Sequence, residues 1–150
     1  MSFLIALLNN VEDEDLREKL QERVDIIEHK IKFMDKVPVA LLDSYNNNSN
    51  LLSVVIEAAG GEHVDATEAQ VTIYHEPRVR MLEMMGIIPS LVNPEWPSVQ
   101  YKKVFIMDDQ SAYLSDPEHF VNTMEDVAEI LHNGYFVFGN EGKTWTGFVV

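Results

Sequence analysis

The sequence predicts a three-layer α/β domain: helices on both faces of a mostly parallel sheet of about four strands, preceded by a long N-terminal helix. Three observations carry this. Between Val11 and Lys36, the residues Leu16, Leu20, Val24, Ile27, Ile31 and Met34 recur at spacings of three and four, which places them on one helical face. After Lys36, short apolar runs alternate with helix-like stretches, the rhythm of βα units. The chain has 150 residues, 46% hydrophobic and 24% charged, enough for one globular domain with a core that needs no metal or disulfide staple. We divide it at Lys36, with residues 1–36 forming an N-terminal segment and the long helix, and residues 37–150 an α/β lobe with an irregular tail.

Each element has its own signal. Asn10 is placed to cap the long helix, Glu12-Asp13-Glu14-Asp15 opposes the positive end of its dipole, and Lys30, Lys32 and Lys36 sit at the negative end. Val37 to Asp43 reads as a buried strand with Pro38 near its entry, and Ser44 to Ser49 is a polar loop. Asn50 to Ala59 reads as a helix stopped by Gly60-Gly61. A minor strand begins near Val64. From Glu68 to Met85 the pattern is mixed: Val71, Ile73 and Tyr74 look extended, whereas Val79, Leu82 and Met85 look helical. Pro77 suits a first helical turn, so the expectation is a helix from Glu76 to Met85 and a strand from Ile87 to Val92. Lys103 to Asp108 is the strongest strand signal. Pro117 to His132 is a helix whose apolar face is Phe120, Val121, Met124, Val127, Ile130 and Leu131, and Tyr135 to Val150 reads as irregular or hairpin structure.

Composition removes several functions. The net charge is −14, from 11 basic and 25 acidic side chains, so no clustered basic surface suits nucleic acid or an anionic membrane. The chain has no cysteine, which excludes thiolate metal sites, disulfides and cysteine nucleophiles and leaves the compartment open. No apolar run reaches membrane-spanning length. The apolar start, Phe3 to Leu8, lacks the basic flank and small-residue cleavage site of a signal peptide. As written, the chain is expected to be cytoplasmic, or a piece of something exported.

Motifs for chemistry are few. His75-Glu76 resembles the start of a zinc-protease helix, but position 79 is Val79, and His63 with Asp65 has no further ligand, so no metal site is expected. Asp108-Asp109 reads as a loop-capping pair. There is no phosphate-binding glycine loop and no nucleophile elbow. What stands out is the polar and aromatic content expected at strand ends. In open α/β sheets ligands bind outside the carboxyl ends of the strands. Three such ends are expected to carry Ser44-Tyr45-Asn46-Asn47, Pro94-Glu95-Trp96 and Asp109-Gln110-Ser111-Ala112-Tyr113. The candidate ligand-binding residues are therefore Tyr45, Asn46, Asn47, Trp96, Gln110 and Tyr113. The alternative is that the aromatics pack against the tail.

The order of motifs resembles a known family. A long helix, the run Asn50-Leu51-Leu52-Ser53-Val54-Val55-Ile56-Glu57-Ala58-Ala59-Gly60-Gly61-Glu62, an aromatic-containing stretch before Glu76, Pro94-Glu95-Trp96, the strand and loop from Lys103 to Tyr113, and Val127 to His132 together resemble the C-terminal lobe of ABC-transporter substrate-binding proteins for cobalamin, haem and iron–siderophores. The resemblance spans about Leu16 to Phe138. It implies two α/β lobes joined by one rigid helix, a ligand in the cleft between them, and a surface glutamate on each lobe that docks on arginines of the permease. Leu16 to Met34 then corresponds to the connecting helix, the rim residues to half of the cleft, and Glu76 to the docking glutamate. The family's acidic strand-end motif is replaced here by Met85-Gly86-Ile87-Ile88-Pro89, and the sequence holds one lobe only.

The resulting expectation is a non-enzymatic binding lobe without an intrinsic cofactor. Its expected partners are a metal-chelate small molecule such as cobalamin, haem or a ferric siderophore, an ABC permease and an N-terminal lobe. A rival reading is a self-associating module that buries the Leu16 to Met34 stripe and Phe3 to Leu8 against a second copy. A third is a small α/β enzyme, for which His119 is the side chain to inspect.

Overall fold

A computed structural model describes residues 2–50, 52–108 and 116–148 of the chain. Its elements in order are α1 (Ser2–Asn9), α2 (Glu14–Ile31), β1 (Val37–Leu42), α3 (Ser53–Ala58), β2 (Gly61–His63), β3 (Val71–Tyr74), α4 (Met81–Ile87), a 3-10 turn (Ile88–Ser90), α5 (Pro97–Gln100), β4 (Val104–Met107), α6 (Pro117–Leu131) and β5 (Trp145–Phe148). The strands form one five-stranded sheet in the order β2-β1-β3-β4-β5. The pairs β1–β2, β1–β3 and β3–β4 are parallel, and β5 joins the edge of β4 antiparallel, with Val104 opposite Phe148 and Met107 opposite Trp145. The three-layer α/β arrangement expected from the sequence is present, with one strand more than expected.

The period-two geometry of strands divides the core into two layers. Val39, Leu41, Val71, Ile73 and Met107 point to one face, where they meet α1, α2, α3 and α6. Ala40, Leu42, Tyr74, Val104 and Ile106 point to the other, where they meet Met84, Ile88 and the short elements between β3 and β4. Leu20, Val24 and Ile27 of the α2 stripe are buried, and so are Leu4 and Leu8 of α1. The chain itself thus covers the centre of the apolar surface invoked for self-association, while Ile5 stays exposed and Leu16, Ile31 and Met34 are half-buried.

The first face also carries buried charge. Arg23 of α2 grips α6 with a two-point fork: its Nε donates to Glu125 Oε2 at 3.0 Å and its Nη2 to Glu125 Oε1 at 2.6 Å. That hydrogen bond outweighs the desolvation of the guanidinium and raises its pKa. One turn along α6, Glu129 accepts from the Phe138 backbone N–H at 2.8 Å and from the Trp145 indole at 3.3 Å, while Asp126 accepts from Asn140 Nδ2 at 2.9 Å. These carboxylates fasten the C-terminal tail over α6. The helix is thus buried on its polar side as well as on the apolar face read from the sequence.

Several boundaries differ from expectation. The helix expected from Val11 with an Asn10 cap starts at Glu14, because Phe3 to Leu8 forms its own helix and Asn10 and Val11 close it through bonds to Leu7 O and Leu8 O. Asp13 is the cap of α2, accepting from Leu16 N at 3.2 Å, and the helix ends at Ile31, short of Lys36. The strand near Val64 occupies Gly61–His63. Gly60, at φ +92°, makes the left-handed turn after α3, and a Cβ there would lie 2.9 Å from His132 Nε2, which is bonded to Ala59 O. Val71 to Tyr74 is a strand. Glu76 and Pro77 lie in the loop that follows it, and the helix expected from Glu76 starts at Met81. Ile87 to Val92 forms no strand: its apolar residues finish α4 and, with Pro89, turn into a 3-10 helix that fills the second core. The tail expected as irregular or hairpin supplies β5.

Candidate functional site

The parallel strands β1, β3 and β4 end on one rim. Beyond β1, Asp43 organises the turn, with its Oδ1 accepting from Tyr45 N at 2.8 Å and Asn47 N at 3.0 Å, and its own N–H donating to Asn47 O at 3.1 Å. Asn46 takes a left-handed conformation, φ 63°, which asparagine tolerates better than most residues. Its side chain works in both directions, Nδ2 donating to Leu91 O at 2.6 Å and Oδ1 accepting from Tyr74 OH at 2.8 Å. Burial raises the Tyr74 pKa, so the phenol stays a donor. The result is a fixed loop whose apex, Tyr45, is 79% exposed.

Beyond β3, His75 N extends the ladder by donating to Leu42 O at 3.0 Å, and the half-buried Glu76 accepts through Oε1 from Ser44 Oγ at 2.5 Å and Ser44 N at 3.3 Å. Glu76 thereby braces the Tyr45 loop. Arg80 pairs instead with Asp108, beyond β4, its Nε donating to Oδ1 at 3.2 Å, and the same oxygen accepts from Met81 N at 3.0 Å. Asp108 therefore performs the capping expected of it. Arg80, Met81, Leu82, Glu83, Asp108 and Lys143 border a cavity of about 620 Å³ at this corner of the rim.

Tyr45, Asn46, Asn47 and Glu76 are thus gathered at one rim. Trp96 is not among them. The strand expected to end before it does not form, and Trp96 instead caps α5, which leads into the amino end of β4, and packs against the second core. Gln110 and Tyr113 lie outside the described residues. His119 sits in the first turn of α6, its Nδ1 3.0 Å from Asp116 Oδ2. Among the described residues, no three His, Asp or Glu side chains are grouped so as to hold a metal ion, and no helix is long and apolar enough to cross a membrane. Sequence reading missed the corner formed by Arg80 and Lys143, because distant segments bring these residues together and neither stands in a recognisable motif.

No family model matches the chain, and no curated protein matches it. A solved structure does: an ABC transporter substrate-binding protein from Listeria monocytogenes EGD-e, similar over 80% of this chain with a TM-score of 0.62 and 13% sequence identity. The chain spans 57% of that protein's chain. The likeness is one of fold.

Proposed function

We propose that this chain is a non-enzymatic ligand-binding lobe of the kind that ABC transporters use to capture substrates, with the carboxyl rim as its binding wall. The observation that carries the reading is the Tyr45 loop: an exposed aromatic held by Asp43, Asn46, Tyr74 and Glu76, at the end of a parallel sheet where α/β folds bind ligands. Because the loop backbone is fixed, only the Tyr45 side-chain torsions remain to be ordered on contact with a flat ligand. Support comes also from the shared fold with a transporter binding protein. Within the reading, the ligand is a large metal chelate such as cobalamin, haem or a ferric siderophore, and Asn46 and Asn47 contribute to the same wall. Trp96, placed away from the rim, is assigned a packing role instead.

The test is a titration of aquocobalamin, haemin and a ferric siderophore against the chain alone and against the chain with an N-terminal lobe supplied. One wall should bind weakly, in roughly the high micromolar range, and two walls far more tightly. Tyr45→Ala should weaken both. Absence of binding in either form, or a Tyr45→Ala protein that behaves like the parent, overturns the proposal.

Glu76 is the proposed permease-docking carboxylate within the same reading, positioned by Ser44. Permease binding by a two-lobe protein that is unaffected by Glu76→Ala would remove that role. The self-association reading rests on the Leu16 to Met34 stripe, whose centre is buried within the chain, together with the Phe3 to Leu8 segment; a strict monomer in sedimentation at several concentrations would end it.

A further inference from the structure

A second cavity lies at the opposite pole of the sheet. It encloses about 410 Å³ between the amino ends of β3 and β4 and the carboxyl end of α6. Its polar lining is Tyr101, Lys102, Lys103, His132, Asn133 and Tyr135, and Phe105 and Ile130 contribute apolar wall. Among the described residues no Asp or Glu lines it, although the chain has 25 acidic side chains against 11 basic ones. Both lysines are exposed, and neither has an ion-pair partner among the described residues.

Both walls are held in place. On one side, Lys102 N donates to Val99 O at 3.1 Å and Lys103 N to Ser98 O at 2.7 Å, and the buried Ser98 Oγ is 2.6 Å from Thr72 Oγ1 of β3. Lys102 itself stands at φ 58°, where glycine or asparagine would cost less, so this turn presents a cationic side chain from a strained position. On the other side, Tyr135 N donates to His132 O at 2.9 Å, and Tyr135 O accepts from Lys30 Nζ at 2.9 Å. The Lys30 ammonium also lies 5.0 Å from the centre of the Phe136 ring, and the His132 ring is fixed against Ala59 O. Two exposed phenol rings and two ammonium groups with no ion-pair partner among the described residues therefore share the mouth of one hollow.

We propose that this pole is a binding site for a small aromatic anion, a planar ring bearing a phosphate or carboxylate. The lysines would take the charge, and Tyr101 and Tyr135 the ring. The volume is near the lower end of the range for small-molecule sites. Overall charge narrows the class: at −14 the protein repels polyanions and anionic surfaces at long range, whereas a small anion inside the hollow lies within a Debye length of both lysines and is attracted there. The site stands apart from the carboxyl rim, and the proposal does not rest on what the rim binds.

The experiment is an amide-resolved NMR titration of the full chain with phenyl phosphate, and in parallel with inorganic phosphate and with phenol. Phenyl phosphate should shift Tyr101, Lys102, Lys103, Asn133 and Tyr135 selectively and bind several-fold tighter than either fragment. Lys102→Gln with Lys103→Gln, both exposed and so compatible with folding, should weaken it about fivefold or more at low salt, and added salt should reduce the parent's affinity toward that of the double variant. Tyr135→Leu should lower affinity for phenyl phosphate and leave that for inorganic phosphate unchanged. Shifts spread over the surface, or a double variant that binds like the parent, overturn the site. Inorganic phosphate binding as tightly as phenyl phosphate overturns the aromatic part of the assignment.

Discussion

The two faces of the sheet are built differently. One is covered by the longer helices α2 and α6 together with α1 and α3, and its polar contacts are carboxylates of α6 gripping α2 and the tail. The other is covered by short turns of helix, and apart from the buried Thr72–Ser98 pair its polar contacts include single side chains reaching across from the rim: Asn46 to Leu91, Tyr74 to Asn46, Asp108 to Met81. The first face holds the lobe together. The second sets the shape of the rim, so its contacts should matter more for binding than for stability.

Substitutions can test this division. The largest effect is expected at Phe120, fully buried in the first core: Phe120→Ala should cost about 3–5 kcal/mol in chemical denaturation. Next is Glu129→Ala, which leaves the Phe138 N–H and the Trp145 indole without their acceptor; a loss of about 1–3 kcal/mol is expected, with faster amide exchange through β5. On the second face Asn46→Gly keeps the left-handed turn and removes both side-chain bonds, for a loss of about 1 kcal/mol and a clear reduction in any binding at Tyr45. A larger stability loss at Asn46 than at Glu129 would break the comparison.

The smallest effect sharpens it. The Tyr74 phenol has a folded pKa raised above its reference value of 10.0, so the unfolded chain releases that proton first. Its contribution to stability is whole below pH 10 and declines as the pH rises beyond it. Tyr74→Phe should flatten that alkaline decline and change stability near neutrality by about 1 kcal/mol or less, measured as denaturation midpoints across pH.

How much could be read from sequence depended on whether a segment's pattern had one interpretation. The α2 and α6 stripes run for several turns, and a helical period that long has no rival. Val71 to Tyr74 is buried on both faces and only four residues long, so it shows no alternation, and the helical spacing of Val79, Leu82 and Met85 nearby pulled the helix boundary toward Glu76. Ile87 to Val92 has a strand-like composition, yet its apolar side chains are needed above the sheet, and Pro89 fits a 3-10 turn. That single error also displaced Trp96, whose place on the rim depended on a strand ending before it. The Tyr45 loop was legible because its asparagines follow a strong strand signal. The corner of Arg80, Asp108 and Lys143 was not, since nothing local links those three residues.

The position of β5 has a consequence for how the lobe is made. β5 follows β4 and α6 in sequence, so during synthesis the outer edge of β4 gains its antiparallel partner only once Trp145 to Phe148 have emerged. The donors that satisfy Asp126 and Glu129 arrive with the same segment. Seating α6 before then would leave Glu129 without the two donors it has in the fold. Closure of the edge and final docking of α6 are therefore coupled through Glu129, which takes donors from the segment that carries β5.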